Sequence, residues 1–231
     1  MTSIQIPKQI FQTHKSVSYL ISKPKLAKAV ASWRKHIPDF RYYFFTDSMC
    51  DAFMKEHFSG LVYDAYIKLP MAVMKADLWR YCIVYKYGGI YADVDTICEQ
   101  NPTLLLKQGV QLCCAPEPGC PFFCQWVFAA PPGSPILKAI IDLSVKRIHK
   151  LTEFKGPDLI HFLTGTALFT DAIEQYLCSL KLPIYKDKHR YTNNRVIAVY
   201  NPEKFHKYVV RHLYAGSDMD GWKEEKKGVL H

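Results

Sequence analysis

Two spacings of apolar residues alternate along the chain and predict strands and helices in turn. Strand-like segments lie at residues 7–12, 40–45, 90–95, 110–114, 126–130, 195–200 and 207–212, and a two-residue period marks 90–95 among them. Helix-like segments lie at 25–36, 48–58, 71–87, 136–149 and 166–180, and the segment at 71–87 is mostly apolar on every side. This alternation predicts an α/β sandwich with a mainly parallel sheet. Ligands of such sheets bind beyond the carboxyl ends of the strands.

Composition and charge agree with one domain over residues 1–231. Hydrophobic residues make up 49% of the chain and aromatic residues 14%, which is enough for a large core. Without a signal peptide or a run of about 18 apolar residues, we expect a cytoplasmic protein with no membrane span. The formal net charge of +9 favours anionic partners. Because the basic residues are scattered, nucleic acid is not among the partners we expect.

Eight cysteines are present, and four of them cluster in the sequence CCAPEPGCPFFC at residues 113–124. Without a secretory signal they are interpreted as reduced thiols. Zinc is the less favoured alternative, because this spacing lacks the regular pairs of a structural zinc site.

The segment YKYGGIYADVDTIC at residues 85–98 carries the strongest chemical signal. If it is a strand, Asp93 and Asp95 leave the same face. Two carboxylates that close resist ionising together unless a cation lies between them. Mg²⁺ and Mn²⁺ prefer such oxygen ligands and often bind phosphates as well. The pattern therefore predicts a metal site that a diphosphate completes.

A mostly apolar helix precedes this acidic pair. Pro70 suits its start and Gly88-Gly89 suits its end. Asp77 and Arg80 are its charged exceptions, and their spacing of three places them on one face. They form either an internal ion pair or a pair that faces the same cavity as Asp93 and Asp95.

These residues resemble the DXD region of glycosyltransferase family 32, which includes the Och1-type mannosyltransferases. Further blocks resemble the family in the same order along the chain. They are IPKQIFQTHKS at 6–16, SWRKHIPDFRYYFFTDS at 32–48, FAAPPGSPIL at 128–137, LTGTALFTDAI at 163–173 and RHLYAGSDMDGW at 211–222.

The resemblance implies a single GT-A domain, with a nucleotide-sugar half at about 1–100 and an acceptor half with a closing segment at about 101–231. It implies a retaining transfer of a sugar from a UDP- or GDP-linked donor to a glycan, glycoprotein or glycolipid. Mn²⁺ or Mg²⁺ would be bound by Asp95, with Asp93 binding the ion through water or holding hydroxyls of the donor. Asp77 would accept a hydrogen bond from the sugar, and Arg80 would contact sugar or phosphate.

Weaker candidates surround this group. The resemblance places the base and ribose near Phe11, Gln12 and Thr13, and Tyr91 is predicted either to pack against the ribose or in the core. His212 is the leading candidate for a further metal ligand. Segment 213–223, including Gly216, Ser217, Trp222 and Lys223, is a candidate lid.

Three interpretations remain open beside these. Thr164-Gly165-Thr166 is either a helix cap or a contact to donor or acceptor. YADVDTI also resembles the start of a haloacid-dehalogenase-type phosphatase, in which Asp93 would be the nucleophile and GSDMD at 216–220 the later acidic pair. A non-catalytic module that binds sugar or polyanions is the third.

Overall fold

The computed structural model describes residues 4–156, 158–183, 186–187, 190–191 and 196–215. Ten strands lie in this part of the chain: β1 Gln9–Thr13, β2 Arg41–Phe45, β3 Gly89–Ala92, β4 Thr96–Cys98, β5 Leu112–Cys114, β6 Val127–Ala130, β7 Lys186–Asp187, β8 Arg190–Tyr191, β9 Ile197–Val199 and β10 Val210–His212. The helices there are α1 Val17–Ser22, α2 Pro24–His36, α3 Asp47–His57, α4 Leu61–Lys68, α5 Ala72–Tyr87, α6 Pro135–Lys150, α7 Leu159–Leu163, α8 Thr166–Ser179 and α9 Pro202–Tyr208. A short 3₁₀ turn covers Thr103–Leu106.

The central sheet has six strands in the order β2-β1-β3-β6-β5-β9. Strand β1 is parallel to both β2 and β3, and β5 is parallel to β9. Strand β6 runs antiparallel between β3 and β5. The α/β architecture with a mainly parallel sheet is therefore confirmed. It brings the carboxyl ends of β2, β1 and β3 to one edge.

Helix α5 crosses the core directly before β3, as its apolar sequence predicts. Residues Met74 and Asp77–Val84 are all buried. The helix ends at Gly88, whose φ of 69° lies in the left-handed region. A Cβ atom there would lie 2.6 Å from Cδ of Pro132, so only glycine lets the chain turn this closely into β3.

The acidic pair lies beyond β3, so the strand predicted over 90–95 is confirmed for residues 90–92 and wrong for 93–95. Strand β3 ends at Ala92, and a turn carries Asp93 and Asp95. Both the backbone nitrogen and the hydroxyl of Thr96 donate to the Asp93 carbonyl, at 3.1 and 2.5 Å. These turn hydrogen bonds replace further pairing of β3 with its neighbouring strands. Asp93 and Asp95 therefore do not lie on one face of a strand.

Four short helices, α1, α4, α7 and α9, are absent from the predicted elements. Each has eight residues or fewer, which is too short for a clear helical period. Helix α9 also replaces the start of the strand predicted at 207–212, and β10 begins only at Val210. Strand β10 pairs with β4, with His212 opposite Thr96.

The eight cysteines are free thiols, and all but Cys120 and Cys178 are buried. Burial raises the pKa of the Cys50 thiol to about 12 and that of Cys113 to about 11. None of the helices in the described part of the chain is both long and apolar enough to cross a bilayer.

Candidate active site

A cavity of about 440 Å³ opens at the carboxyl edge of the parallel strands. Thr13 ends β1, Asp47 follows β2, and Asp93 follows β3, and all three line this cavity. Helix α5 contributes Asp77 and Arg80 to the wall. The cavity therefore lies where ligands of open α/β sheets bind.

Asp93, Asp95 and His212 meet on one side of this cavity. His212 Nε2 lies 3.4 Å from Asp95 Oδ1 and 3.8 Å from Asp93 Oδ2. One ligand atom from each residue fits within a mutual distance of 4.8 Å. The 213–215 segment fixes Asp95, because Ala215 N–H donates to its Oδ2 at 2.9 Å. Two carboxylates and an imidazole form a donor set that suits Mn²⁺.

The backbone after β10 determines whether His212 can bind a metal ion. The N–H of Tyr214 donates to His212 Nδ1 at 2.8 Å, so a neutral ring carries its proton on Nε2 and donates it toward the carboxylates. A metal-bound Nε2 must be unprotonated, so this hydrogen bond has to open first. Tyr214 has a φ of 54°, an unusual conformation for tyrosine. The two carboxylates thus fit an ion as they stand, and His212 fits after a local change.

Arg80 links the acidic pair to Asp77. Its guanidinium nitrogen Nη2 lies 3.0 Å from Asp77 Oδ1 and 3.3 Å from Asp93 Oδ1. The side chains of Arg80 and Asp77 are buried, and that of Asp93 is 25% exposed. Burial alone would raise the pKa of Asp93, but the charge of Arg80 and the nearby imidazole of His212 hold it below its usual value. The internal ion pair and the cavity-facing pair are therefore the same feature.

Two polar residues that sequence reasoning missed or placed elsewhere hold Asp77. Gln125 Nε2 donates to Asp77 Oδ1 at 3.2 Å, and the Thr164 hydroxyl donates to Oδ2 at 2.9 Å. The Tyr81 hydroxyl donates to Gln125 Oε1, which fixes the amide orientation. The available signal for Gln125 was a single polar residue within the apolar run 122–130. Helix α8 has Gly165 at its N-cap, so Thr164 does not cap it.

Asp77 should make the protein's stability depend on pH. Burial raises its pKa to about 6, in spite of Arg80 and the hydrogen bonds from Thr164 and Gln125. A raised folded-state pKa means that the fold favours the protonated acid. Relative to Asp77→Asn, the free energy of unfolding of the wild type should therefore rise by about 2 kcal/mol as pH falls from about 7 to 4. Urea unfolding of both proteins across this range measures the difference, and a flat difference would contradict it.

Of the three residues on β1 that were predicted to lie near the base and ribose, one lines the cavity and two do not. Phe11 is buried and its ring stacks on Tyr43 at 5.3 Å, away from the cavity. Gln12 is fully buried and donates to the Asp93 carbonyl at 3.0 Å, so it supports the turn instead of lining the cavity. Thr13 does line the cavity.

Tyr91 both packs in the core and borders the cavity. Its ring lies 6.4 Å from that of Trp79 and 4.7 Å from the Arg80 guanidinium, and its hydroxyl donates to Asp93 Oδ1. Tyr91 therefore helps to position the side chains of Arg80 and Asp93. Gly216, Ser217, Trp222, Lys223 and the acidic residues of 216–220 lie outside the described residues.

Trp126 is a further cavity residue that sequence reasoning missed. Its indole N–H donates to Glu117 Oε1 at 2.7 Å, and its ring packs edge-on against His212 at 4.7 Å. An aromatic residue just before β6 looks like ordinary core, so only the fold reveals this contact.

Comparisons with known proteins agree with this geometry. The family model described as the glycosyltransferase sugar-binding region containing a DXD motif matches residues 23–111. An initiation-specific alpha-1,6-mannosyltransferase of Candida albicans is 29% identical over 222 residues, covering 80% of this chain and 57% of the relative. The Schizosaccharomyces pombe protein of the same name is 30% identical over 198 residues, covering 74% and 49%.

The fold has a clear neighbour among solved structures. The "PaToxG Glycosyltransferase" aligns with a TM-score of 0.62 at 19% identity, covering 78% of this chain and 73% of that one. The chain spans about half the length of the curated relatives it matches. The DXD match and the two relatives show that the chain is similar to the family 32 glycosyltransferases, and the solved neighbour shows that it has the GT-A fold.

Proposed function

We propose that this protein transfers a sugar, most simply mannose, from a nucleoside diphosphate donor to a glycan acceptor. The observation that carries the proposal is the convergence of Asp93, Asp95 and His212 beside Arg80 in one cavity. The names of the mannosyltransferase relatives support mannose as the sugar. Glycans, glycoproteins and glycolipids are the acceptor classes that we propose.

A divalent ion, Mn²⁺ or Mg²⁺, held by Asp93 and Asp95 would supply a Lewis acid for the charge that develops on the leaving diphosphate. The residues around it position the donor. Arg80 holds Asp93 in place, and Asp77, which lines the cavity, would accept a hydrogen bond from a sugar hydroxyl. Lys15 lines the same cavity and offers a cation to a phosphate.

The family resemblance supports retention of configuration at the transferred sugar carbon. Proton NMR of a fresh product distinguishes an α from a β linkage, and retention predicts the same anomer as in the donor. The opposite anomer would overturn this part of the proposal and leave the transfer itself intact.

A thermal-shift screen tests the core of the proposal. Wild-type protein is heated with GDP, UDP, GDP-mannose or UDP-glucose, each with and without Mn²⁺. We expect a shift only when nucleotide and ion are both present, because ligand binding stabilises the folded state. Transfer is then measured as release of nucleoside diphosphate with a mannoside acceptor.

The same samples separate the alternatives. A non-catalytic binding module predicts stabilisation without the ion and no release of nucleotide. A haloacid-dehalogenase-type phosphatase predicts turnover of a simple phosphate ester while nucleotide sugars stay intact. Either result would overturn the proposed transfer.

A further inference from the structure

The beginning of the described chain is basic and lacks acidic residues. Seven lysines and arginines lie between residues 8 and 38, and Asp39 is the first residue of the sequence with a carboxylate side chain. This stretch therefore carries +7 of the formal net charge of +9, although lysines and arginines are scattered over the whole protein. Strand β1 and helices α1 and α2 form from it, so the charge is concentrated on one part of the surface.

Helix α2 directs its lysines to solvent. The indole of Trp33 marks the buried face of this helix. Lys28 and Lys35 lie about two turns apart on the opposite side, and both are exposed, as is Lys25 in the first turn. None of the ion pairs in the described part of the chain involves these three lysines. Their charges are therefore available to an anionic partner.

Helix α1 adds apolar side chains next to this charge. Val17 and Ile21 lie four residues apart on one face, and they are 48% and 67% exposed. Lys15 precedes this helix and Lys23 follows it. Single exposed apolar residues are common, but two on one helix face between lysines resemble an interfacial helix. The α1–α2 surface consists of five exposed side chains, those of Val17, Ile21, Lys25, Lys28 and Lys35.

The α1–α2 surface borders the cavity of the candidate active site. Lys15, just before α1, lines that cavity. Leu20 of α1 packs in one buried cluster with Val94, which stands between the two aspartates. Helix α2 is attached to the same region, because the Trp33 indole N–H donates to the Thr96 carbonyl at 3.1 Å. A partner bound to the α1–α2 surface therefore lies close to the opening of the cavity.

We propose that the α1–α2 surface docks this protein on an anionic lipid bilayer beside the opening of the cavity. The lysines attract the phosphates and carboxylates of the headgroups, and the attraction grows with each lysine near the membrane surface. Val17 and Ile21 enter the boundary between headgroups and acyl chains, where their apolar surface leaves water. A lipid-borne acceptor is then close to the cavity, and this consequence, unlike the docking, rests on the proposed function.

Charge and apolar surface together favour a bilayer over other occupants. A second copy of this chain would bring an equally basic surface against the first, and the like charges would repel. A nucleic acid supplies phosphates but no apolar layer into which Val17 and Ile21 could insert. An anionic bilayer supplies both.

Cosedimentation with lipid vesicles tests the docking. Wild-type protein is mixed with vesicles of phosphatidylcholine alone or with about 30% phosphatidylserine, in the presence of EDTA and without nucleotide. We expect binding only to the vesicles that contain phosphatidylserine. This binding should weaken as sodium chloride rises from about 0.05 to about 0.5 M, because salt screens the lysines. Equal binding to both kinds of vesicle would contradict the role of charge.

A triple variant measures the contribution of the lysines. Lys25→Gln/Lys28→Gln/Lys35→Gln should bind phosphatidylserine vesicles about 100-fold more weakly than wild type. The matched control lowers the net charge equally by replacing three exposed lysines on α3, α5 and α6 with glutamine, namely Lys55, Lys86 and Lys146. It should stay within about threefold of wild type, because its lysines lie outside the docking surface.

A double variant measures the contribution of the apolar residues and separates a bilayer from a polyanion. Val17→Ser/Ile21→Ser should weaken vesicle binding about tenfold, and its binding to heparin should equal that of wild type. Leu61→Ser/Ile67→Ser is the matched control, because these residues of α4 are 67% and 55% exposed. A surface that binds polyanions alone predicts unchanged vesicle binding in Val17→Ser/Ile21→Ser, and that result would overturn the docking.

The outcomes for docking and for sugar transfer are independent, because vesicle binding is measured without nucleotide or Mn²⁺. Absence of vesicle binding, or equal losses in a variant and its control, would overturn the docking and leave the proposed transfer intact. Absence of a thermal shift that needs both nucleotide and ion would overturn the proposed transfer and leave the docking intact.

Discussion

Replacing Asp95 with asparagine is expected to abolish the Mn²⁺-dependent binding of nucleoside diphosphates and to lower sugar transfer by about 10³-fold or more. Loss of one carboxylate from a site of two removes much of the attraction for a divalent ion. Several kcal/mol of transition-state stabilisation then disappear, and each 1.36 kcal/mol is a factor of ten in rate.

The fold should tolerate this change, since an asparagine oxygen can still accept the hydrogen bond from Ala215 N–H. Removing one of two neighbouring negative charges also lowers repulsion when no ion is bound. Thermal unfolding without ligand should therefore change little. The exposed Asp39→Asn, which removes a surface pair with Lys8, is the control for a lost carboxylate. A normal Mn²⁺-dependent shift in Asp95→Asn would remove Asp95 from the ion site.

Replacing Arg80 with alanine is expected to have the largest effect on stability, a loss of about 3–5 kcal/mol in the free energy of unfolding. Arg80 is the cation between two carboxylates, and its side chain is only 6% exposed. Its removal leaves Asp77 buried without a charge partner. Chemical denaturation at pH 7 measures the loss.

The double variant Asp77→Asn/Arg80→Met gives this prediction its internal test. It removes the buried charge together with its partner and keeps most of the volume, so it should regain part of the stability lost in Arg80→Ala. Arg211→Ala breaks an ion pair with Glu99 in which the Arg211 side chain is 50% exposed, and should cost under about 1 kcal/mol. Equal losses in Arg80→Ala and Arg211→Ala would show that the buried network contributes nothing special.

The long helices of this fold can be predicted from the sequence because residues close together in the chain determine them. Helix α5 has apolar residues on all sides, and Gly88 stops it where the backbone turns left-handed. The same sequence logic brought Asp77 and Arg80 to one face of that helix, and the structure joins them in an ion pair. Strands β1 and β3 beside the cavity are buried along almost their whole length, because helices or strands cover both faces of the sheet there.

Long-range contacts could not be predicted this way. Gln125 reaches Asp77 across 48 positions, and Ala215 reaches Asp95 across 120. The spacing of apolar residues within one element contains no information about contacts between residues so far apart in the chain. At Asp93 a local pattern was misleading. Residues alternate there as in a strand, but the hydrogen bonds from the Thr96 hydroxyl and N–H to the Asp93 carbonyl form a turn.

The pairing of β10 with β4 has a consequence for how the protein acquires its chemistry during synthesis. The matched family segment ends at residue 111 and holds the acidic pair. The imidazole of His212 and the N–H groups of Tyr214 and Ala215, which bond His212 and Asp95, arrive about a hundred residues later. A nascent chain that has emerged only through α8 has both carboxylates but lacks the segment from β10 to Ala215 that holds Asp95 in place. Under the proposed function, full affinity for a divalent ion would thus be gained late, when β10, the last of the described strands, docks.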